Sequence, residues 1–230
     1  TRLYYVEVIE PDMDEPSGDV ERLIDALQSQ WDLGVVKANL AVLPHLQTAL
    51  RKGKWQVTCA VHRSHEDGPA EILQVWPGYY DEPIFGLAVD LGSTTIAAHL
   101  CNLRTGEVVA SNGVMNPQIR FGEDLMSRVS YAMMNPGGAA EMTEAVRESM
   151  NALIQQLAAE ALVGPESIFE IVLVANPVMH HLFLGIDPVE LGQAPFALAT
   201  ADAINLRASE IGLRLHQNAR GYILPCIAGH

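Results

Sequence analysis

Basic side chains are scarce in these 230 residues, and cysteine is scarcer. Fourteen Lys and Arg stand against 28 Asp and Glu, a net charge of −14, and the imbalance is even along the chain, with 7 basic and 14 acidic residues on either side of position 84. Neither end is a basic arm, and without clustered cations to neutralise a phosphate backbone, nucleic acid is not an expected partner. The three cysteines, Cys59, Cys101 and Cys226, are odd in number and far apart. They make no disulfide framework, so the cytoplasm is the expected compartment. No apolar run is long enough to span a bilayer, and the first residues lack the pattern of a signal peptide, so no membrane association is expected.

What is present is an ordinary globular composition, 49% apolar and 18% charged, long enough for one large or two modest domains. Residues 1–84 read as a small α+β domain. Leu3–Ile9 alternates as a strand, and Ser17 or Asp19 can cap a helix over Val20–Gln30 whose stripe is Val20, Leu23, Ile24 and Leu27. A second helix is expected over Pro44–Arg51, then paired strands at Trp55–His62 and Glu71–Trp76. His62 and His65, near a turn and without a nearby combined carboxylate–cysteine set, read as solvated loop residues. Pro77–Pro83, with its prolines, glycine and acids, reads as the linker.

Residues 85–230 are periodic. Strands are expected at Phe85–Asp90, Thr95–Leu103 and Val108–Val114. A helix follows from near Gly122 to Met133, broken by Asn135-Pro136-Gly137-Gly138, and a longer one runs from Ala139 to Ala161. Ile168–Ala175 is almost wholly apolar, the pattern of a strand buried on both faces. A short helix over Pro177–Leu184 and, after a loop-rich stretch, a buried strand over Tyr222–Ile227 complete the order. Three hairpin-linked strands followed by helix, strand, helix and strand resemble the half-domain shared by actin, sugar kinases, acetate kinases and chaperone ATPases. The fold class expected is therefore α/β: an actin-like (ribonuclease H-like) ATPase half-domain with a mixed sheet, preceded by the small α+β domain.

The chemistry concentrates in the first turn of that hairpin, Asp90-Leu91-Gly92-Ser93-Thr94-Thr95. Gly92 has no Cβ and lets backbone approach a ligand. The amides of Gly92, Ser93, Thr94 and Thr95 can form an anion-binding nest, with hydroxyls as further donors. Asp90, at the mouth of the strand, can hold Mg²⁺ through water. Such turns are also ordinary hairpin chemistry, in which the aspartate accepts amide hydrogen bonds. In so acidic a chain, an anionic nucleotide can be held only through local dipoles and a bridging metal.

Beyond that hairpin, Ala88-Val89-Asp90-Leu91-Gly92-Ser93-Thr94-Thr95, Asn116-Pro117-Gln118-Ile119-Arg120-Phe121-Gly122-Glu123-Asp124, Asn176-Pro177-Val178-Met179-His180-His181-Leu182 and Leu224-Pro225-Cys226-Ile227-Ala228-Gly229-His230 together resemble the ATP-dependent reductive activators of corrinoid proteins. The resemblance covers residues 84–230 and, more weakly, residues 1–84, which resemble that family's middle domain. It implies that ATP and Mg²⁺ drive an electron uphill from a [2Fe-2S] ferredoxin domain to cobalt, giving cob(I)alamin on a corrinoid protein of a methyltransferase system. The implied partners are that corrinoid protein and an electron donor, and a homodimer is compatible with it. Asp90 becomes the metal-positioning and catalytic residue, and Gly92, Ser93, Thr94 and Thr95 the contacts to β- and γ-phosphates. The cysteine loop a plant-type cluster needs, C-x₄-C-x₂-C…C, is absent, as is a second ATPase lobe. The chain is therefore expected to be a piece of such a protein: middle domain plus first lobe, inactive alone and without a cluster.

Other residues carry weaker readings. Asn176 ends a strand where ligands of open α/β sheets lie, and it either reaches a phosphate or caps the next helix. Gln118, Arg120, Glu123 and Asp124 form a polar loop that either supports a helix start or borders the cleft or the corrinoid partner. His180 and His181, about 100° apart on a helix, read as one packed and one solvated residue rather than a metal pair. Cys101 and Cys226 read as inert core thiols, and Met115, Met126, Met133 and Met134 as packing. Two alternatives remain: a phosphotransferase of the sugar- or acetate-kinase type, for which no catalytic carboxylate with an acceptor pocket can be identified, and a non-catalytic interaction module.

Overall fold

The computed structural model describes residues 1–65 and 68–226. They fall into two units, divided between Pro83 and Ile84.

The first unit packs two helices on a four-stranded sheet. Its elements are β1 (Arg2–Glu7), α1 (Asp19–Trp31), β2 (Val36–Ala38), α2 (Leu43–Lys52), β3 (Gln56–Arg63) and β4 (Ala70–Pro77), with strand order β1-β3-β4-β2. Pairing is antiparallel except between β2 and β4. Leu23 and Leu27 of α1, Leu46 and Leu50 of α2, and Val6, Val57 and Ile72 of the strands form its core. The residue before α1 is Gly18, with no side-chain cap; neither Ser17 nor Asp19 caps it, and the carboxylates of Asp19 and Glu21 in the first turn favour that end instead. His62 lies in β3 rather than in a loop, its Nδ1 3.2 Å from the Thr1 hydroxyl.

The second unit is an α/β layer pair. Its strands are β5 (Phe85–Leu91), β6 (Thr95–Asn102), β7 (Val108–Met115), β8 (Ile168–Ala175), β9 (Ile204–Arg207) and β10 (Arg220–Ile223), in the order β7-β6-β5-β8-β10-β9. β5, β6 and β7 form an antiparallel meander, β8 lies parallel to β5 and β10 parallel to β8, so the sheet is mixed. Its helices are α3 (Leu125–Met134), α4 (Gly138–Glu160) and α5 (Pro177–Leu184). A 3₁₀ turn over Pro117–Phe121 and the edge strand β9 lie where the sequence suggested only loop. The strand expected over Tyr222–Ile227 is β10, ending at Ile223; its last expected residue, Ile227, and the motif residues Ala228, Gly229 and His230 lie outside the described residues.

The helical layer covers one face of the sheet. Leu87, Val89, Leu91, Ile96, Ala98, Leu100, Ile171 and Leu173 meet Met142, Val146, Met150, Leu153, Ile154 and Leu157 of α4 and Met179, Leu182 and Phe183 of α5 in one core. Successive strand side chains alternate faces, so Ala88, Asp90, His99, Val172 and Val174 point the other way, and all five are exposed. β8 is therefore not buried on both faces: Val172 and Val174 are 40% and 44% exposed. The four methionines read as packing also reach the surface, from Met126 at 50% to Met134 at 74%. Among the described residues no helix is long and apolar enough to cross a membrane.

Candidate phosphate-binding site

The β5–β6 turn closes tightly. Gly92 N–H donates to the Thr95 carbonyl at 3.0 Å, and a Cβ on Gly92 would lie 2.7 Å from that same oxygen. The glycine is required by this approach, since its φ is not positive.

The carbonyls of the next three peptides are held from one side by buried polar groups. Asn116 Nδ2 donates to the Gly92 carbonyl at 2.8 Å, Arg128 Nη2 to the Ser93 carbonyl at 2.6 Å, and the Asn116 backbone N–H to the Thr94 carbonyl at 2.7 Å. In a trans peptide the N–H points opposite to the C=O. The Ser93, Thr94 and Thr95 amides are thus each turned away from the group that holds their peptide. Among the described residues, the Ser93 and Thr94 amides donate to no protein acceptor.

Local chemistry explains the brace. Asn116 precedes Pro117 and caps the 3₁₀ turn, its Oδ1 accepting from Gln118 N–H at 2.9 Å, which leaves Nδ2 facing Gly92. Arg128 lies on the buried side of α3 beside Val129, fully buried. Its Nε donates to the Gly122 carbonyl at 3.0 Å and its Nη1 to Met179 Sδ at 3.3 Å. Burial pulls the guanidinium below its ordinary pKa, and the Asp124 carboxylate opposes that shift. Met179 Sδ also lies 3.5 Å from Asn116 Nδ2, so α5 is tied into the same network.

Asp90 is exposed in β5, opposite Ala97 of β6 and Val174 of β8. Among the described residues its carboxylate makes no hydrogen bond or ion pair. It does not accept the turn amides, which removes the ordinary hairpin explanation for its presence. Asn176 caps α5, its Oδ1 accepting from Met179 N–H at 3.0 Å.

The loop residues separate. Gln118 is fully buried and donates through Nε2 to the Met142 carbonyl at 2.9 Å. It braces α4 and, being buried, presents nothing to a cleft or partner; its Oε1 is a buried acceptor without a partner among the described residues. Asp124 caps α3 by accepting from Ser127 N–H at 2.7 Å, and its hydrogen bonds to Ser127 hold its carboxyl below the ordinary range. Arg120 lies over the Phe121 ring at 4.7 Å, and Glu123 is exposed. The motif around Asn116 gives that residue no role on sequence alone. Arg128 was missed, although a cation one residue from Val129, on the apolar side of a helix, is an anomaly the sequence displays.

His180 and His181 are both buried, against the expected one-in, one-out arrangement, and with Cys226 their ligating atoms lie within 4.8 Å of one another. His181 is already saturated: its Nδ1 lies 2.9 Å from the Pro177 carbonyl and its Nε2 accepts from Ala199 N–H at 3.0 Å. Burial pushes both imidazoles toward the neutral form. Burial raises the Cys226 thiol pKa, and that of half-buried Cys101. These are packed groups, with no open ligand on His181 for an ion. A hollow of about 670 Å³ in the second unit, lined by Thr143, Arg147, Glu148 and Asn151, excludes Asp90 to Thr95.

Residues 85–230 match the family model for the RACo middle region, and residues 1–82 that for the RACo linker region; middle domain and first ATPase lobe, the terms expected from sequence, are not the names those models carry. The chain is 32% identical over 149 residues to the corrinoid activation enzyme RamQ of Eubacterium limosum, covering 65% of this chain and 25% of that protein. It matches the solved structure of a reductive activator for corrinoid, iron-sulfur protein with a TM-score of 0.90 at 31% identity, covering 99% of this chain and 36% of that one. The chain thus spans between a quarter and about a third of the length of these relatives.

Proposed function

The chain belongs to the RACo family, and from that premise we propose that it is part of an ATP-dependent activator which returns inactive cob(II)alamin on a corrinoid protein to cob(I)alamin. In this reading the second unit is the first lobe of the nucleotide clamp, and the turn after β5 is its phosphate contact. The observation that carries it is the pairing of two amides, Ser93 and Thr94, with a carboxylate, Asp90, at one strand end, none of them with a partner among the described residues. Amide dipoles suit phosphate oxygens, and a carboxylate suits the water shell of Mg²⁺.

Bound Mg·ATP would supply, through cleavage of its terminal phosphate, the free energy for an uphill electron. This chain's residues do the holding. Ser93 and Thr94 donate N–H groups, the hydroxyls of Ser93, Thr94 and Thr95 add donors, and Asp90 orients metal-bound water. Asn176 is committed to capping α5 through Oδ1 and contributes by placing that helix under the turn.

A [2Fe-2S] cluster does not fit these residues. It needs four close cysteine thiolates, and the three here lie in β3, in β6 and at Cys226 beyond β10. The electron source, the cluster and the adenosine pocket are assigned to other parts of such an activator.

The test is titration of Mg·ATP into the chain, followed by the amide resonances of residues 92–95. Shifts at Ser93 and Thr94 are expected, with at least a tenfold loss of affinity in Asp90→Ala and on removal of Mg²⁺, about the effect of one charged-group contact. A turn that does not respond to millimolar Mg·ATP overturns the phosphate reading.

A further inference from the structure

A buried cation without a carboxylate in contact is costly, yet Arg128 is wholly shielded from solvent in a chain of net charge −14. Its three contacts are the Ser93 carbonyl, the Gly122 carbonyl and the Met179 sulfur. None is a formal anion. The Asp124 carboxylate acts on it without a hydrogen bond, so the groups Arg128 touches leave its charge uncancelled.

We propose that Arg128 is a positioning residue for the phosphate turn: a concealed cation that selects a polyphosphate without touching it. The inference rests on the phosphate reading of residues 92–95. Two effects follow from its geometry. The bond from Nη2 fixes the Ser93–Thr94 peptide plane, so the Thr94 N–H is set toward solvent before any ligand arrives, and no reorganisation is needed on binding. A charged donor on the carbonyl end of that peptide also polarises it and strengthens the N–H at the other end. Asn116 holds the two flanking peptides in the same sense but brings no charge. Arg128 thus supplies the positive potential that the surface withholds, in a place where solvent and salt screen it little.

Other groups in the molecule carry less. In the His180, His181 and Cys226 cluster both ring nitrogens of His181 are taken, so although His180 Nε2 has no partner among the described residues the set offers no shared ligand site, and the hollow along α4 holds Glu144, Glu148 and Asp187 beside Arg147 and Arg214, with no group aimed at a ligand of one charge.

The probe is Mg²⁺-tripolyphosphate, which isolates the phosphate contacts from adenosine. Titrations into the chain are followed by the Ser93 and Thr94 amide resonances for the wild type, Arg128→Lys and Arg128→Met. Expected are a loss of about tenfold or more for Met, as for a hydrogen bond to a charged group, and recovery by Lys to within about threefold of the wild type. A folded Met variant that binds within twofold of the wild type overturns the inference while leaving the phosphate reading intact. A wild type that does not respond overturns the phosphate reading itself. Should the Met variant fail to fold, Arg128→Gln decides in its place, since it keeps a donor for the Ser93 carbonyl without the charge: the same loss supports the electrostatic role, and unchanged affinity overturns it.

Discussion

Single residues in the second unit are held by distance and solvation more than by propensity. Gly92 has an unstrained φ, and what excludes a side chain is the Thr95 oxygen 2.7 Å from where its Cβ would stand. His216 shows the other extreme. It stacks on Phe169 with ring centroids 4.1 Å apart, and burial pulls its pKa down to about 4 against a small opposing pull from Glu166. A histidine whose folded pKa lies below its unfolded value binds more protons when unfolded, so its share of stability is present above about pH 6.5 and is lost as pH falls toward 4. Urea midpoints measured from pH 7 to pH 4 are expected to fall, and His216→Phe should flatten that part of the profile. An unchanged slope in the variant would place the acid sensitivity elsewhere.

At the scale of elements, periodicity placed helices and strands well and faces less well. α5 begins and ends where proline, asparagine and Gly185 put it, at Pro177 and Leu184, because both ends are set by local chemistry. β8 also has its expected bounds, but its apolar run suggested two covered faces, and only the face carrying Ile171 and Leu173 is covered. Alternation is silent when both sets of side chains are apolar, so only the sheet's neighbours could decide. Leu173→Ala should cost about 2–5 kcal/mol, the usual range for a large core residue, whereas Val174→Thr should stay within about 0.5 kcal/mol, as at open surface sites. Chemical denaturation of the two variants checks the register, and equal losses would contradict it. The brace of Asn116 and Arg128 escaped the sequence for a different reason. Asn116 is 24 residues from Gly92 and Arg128 is 35 from Ser93, and no local pattern records a contact of that separation.

For the whole molecule the charge balance sets the terms on which an anion can bind. At −14 with a sequence pI near 4.8, the long-range field repels a polyphosphate, while attraction comes from the turn amides, the metal and Arg128 at short range. The Debye length falls from about 30 Å to about 8 Å between 0.01 and 0.15 M salt, so added salt removes the repulsion first. Tripolyphosphate affinity at fixed Mg²⁺ should hold or rise over that range, and a steep fall of the kind basic surfaces give would point to binding somewhere other than the turn.

The sequence by itself determined the order of the longer helices and strands though not β2 or β9, the meander that opens the second unit, the turn with its aspartate and glycine, and the family, because each of these is written in neighbouring residues or in short phrases. Tertiary structure alone decided which face of the sheet lies open, that both histidines of α5 are buried, and that Gln118 supports α4 instead of meeting a partner. It also decided which way the turn's amides point. That direction is fixed by an asparagine and an arginine brought in from distant elements, and a peptide plane in a short turn has no preference of its own until something holds its carbonyl.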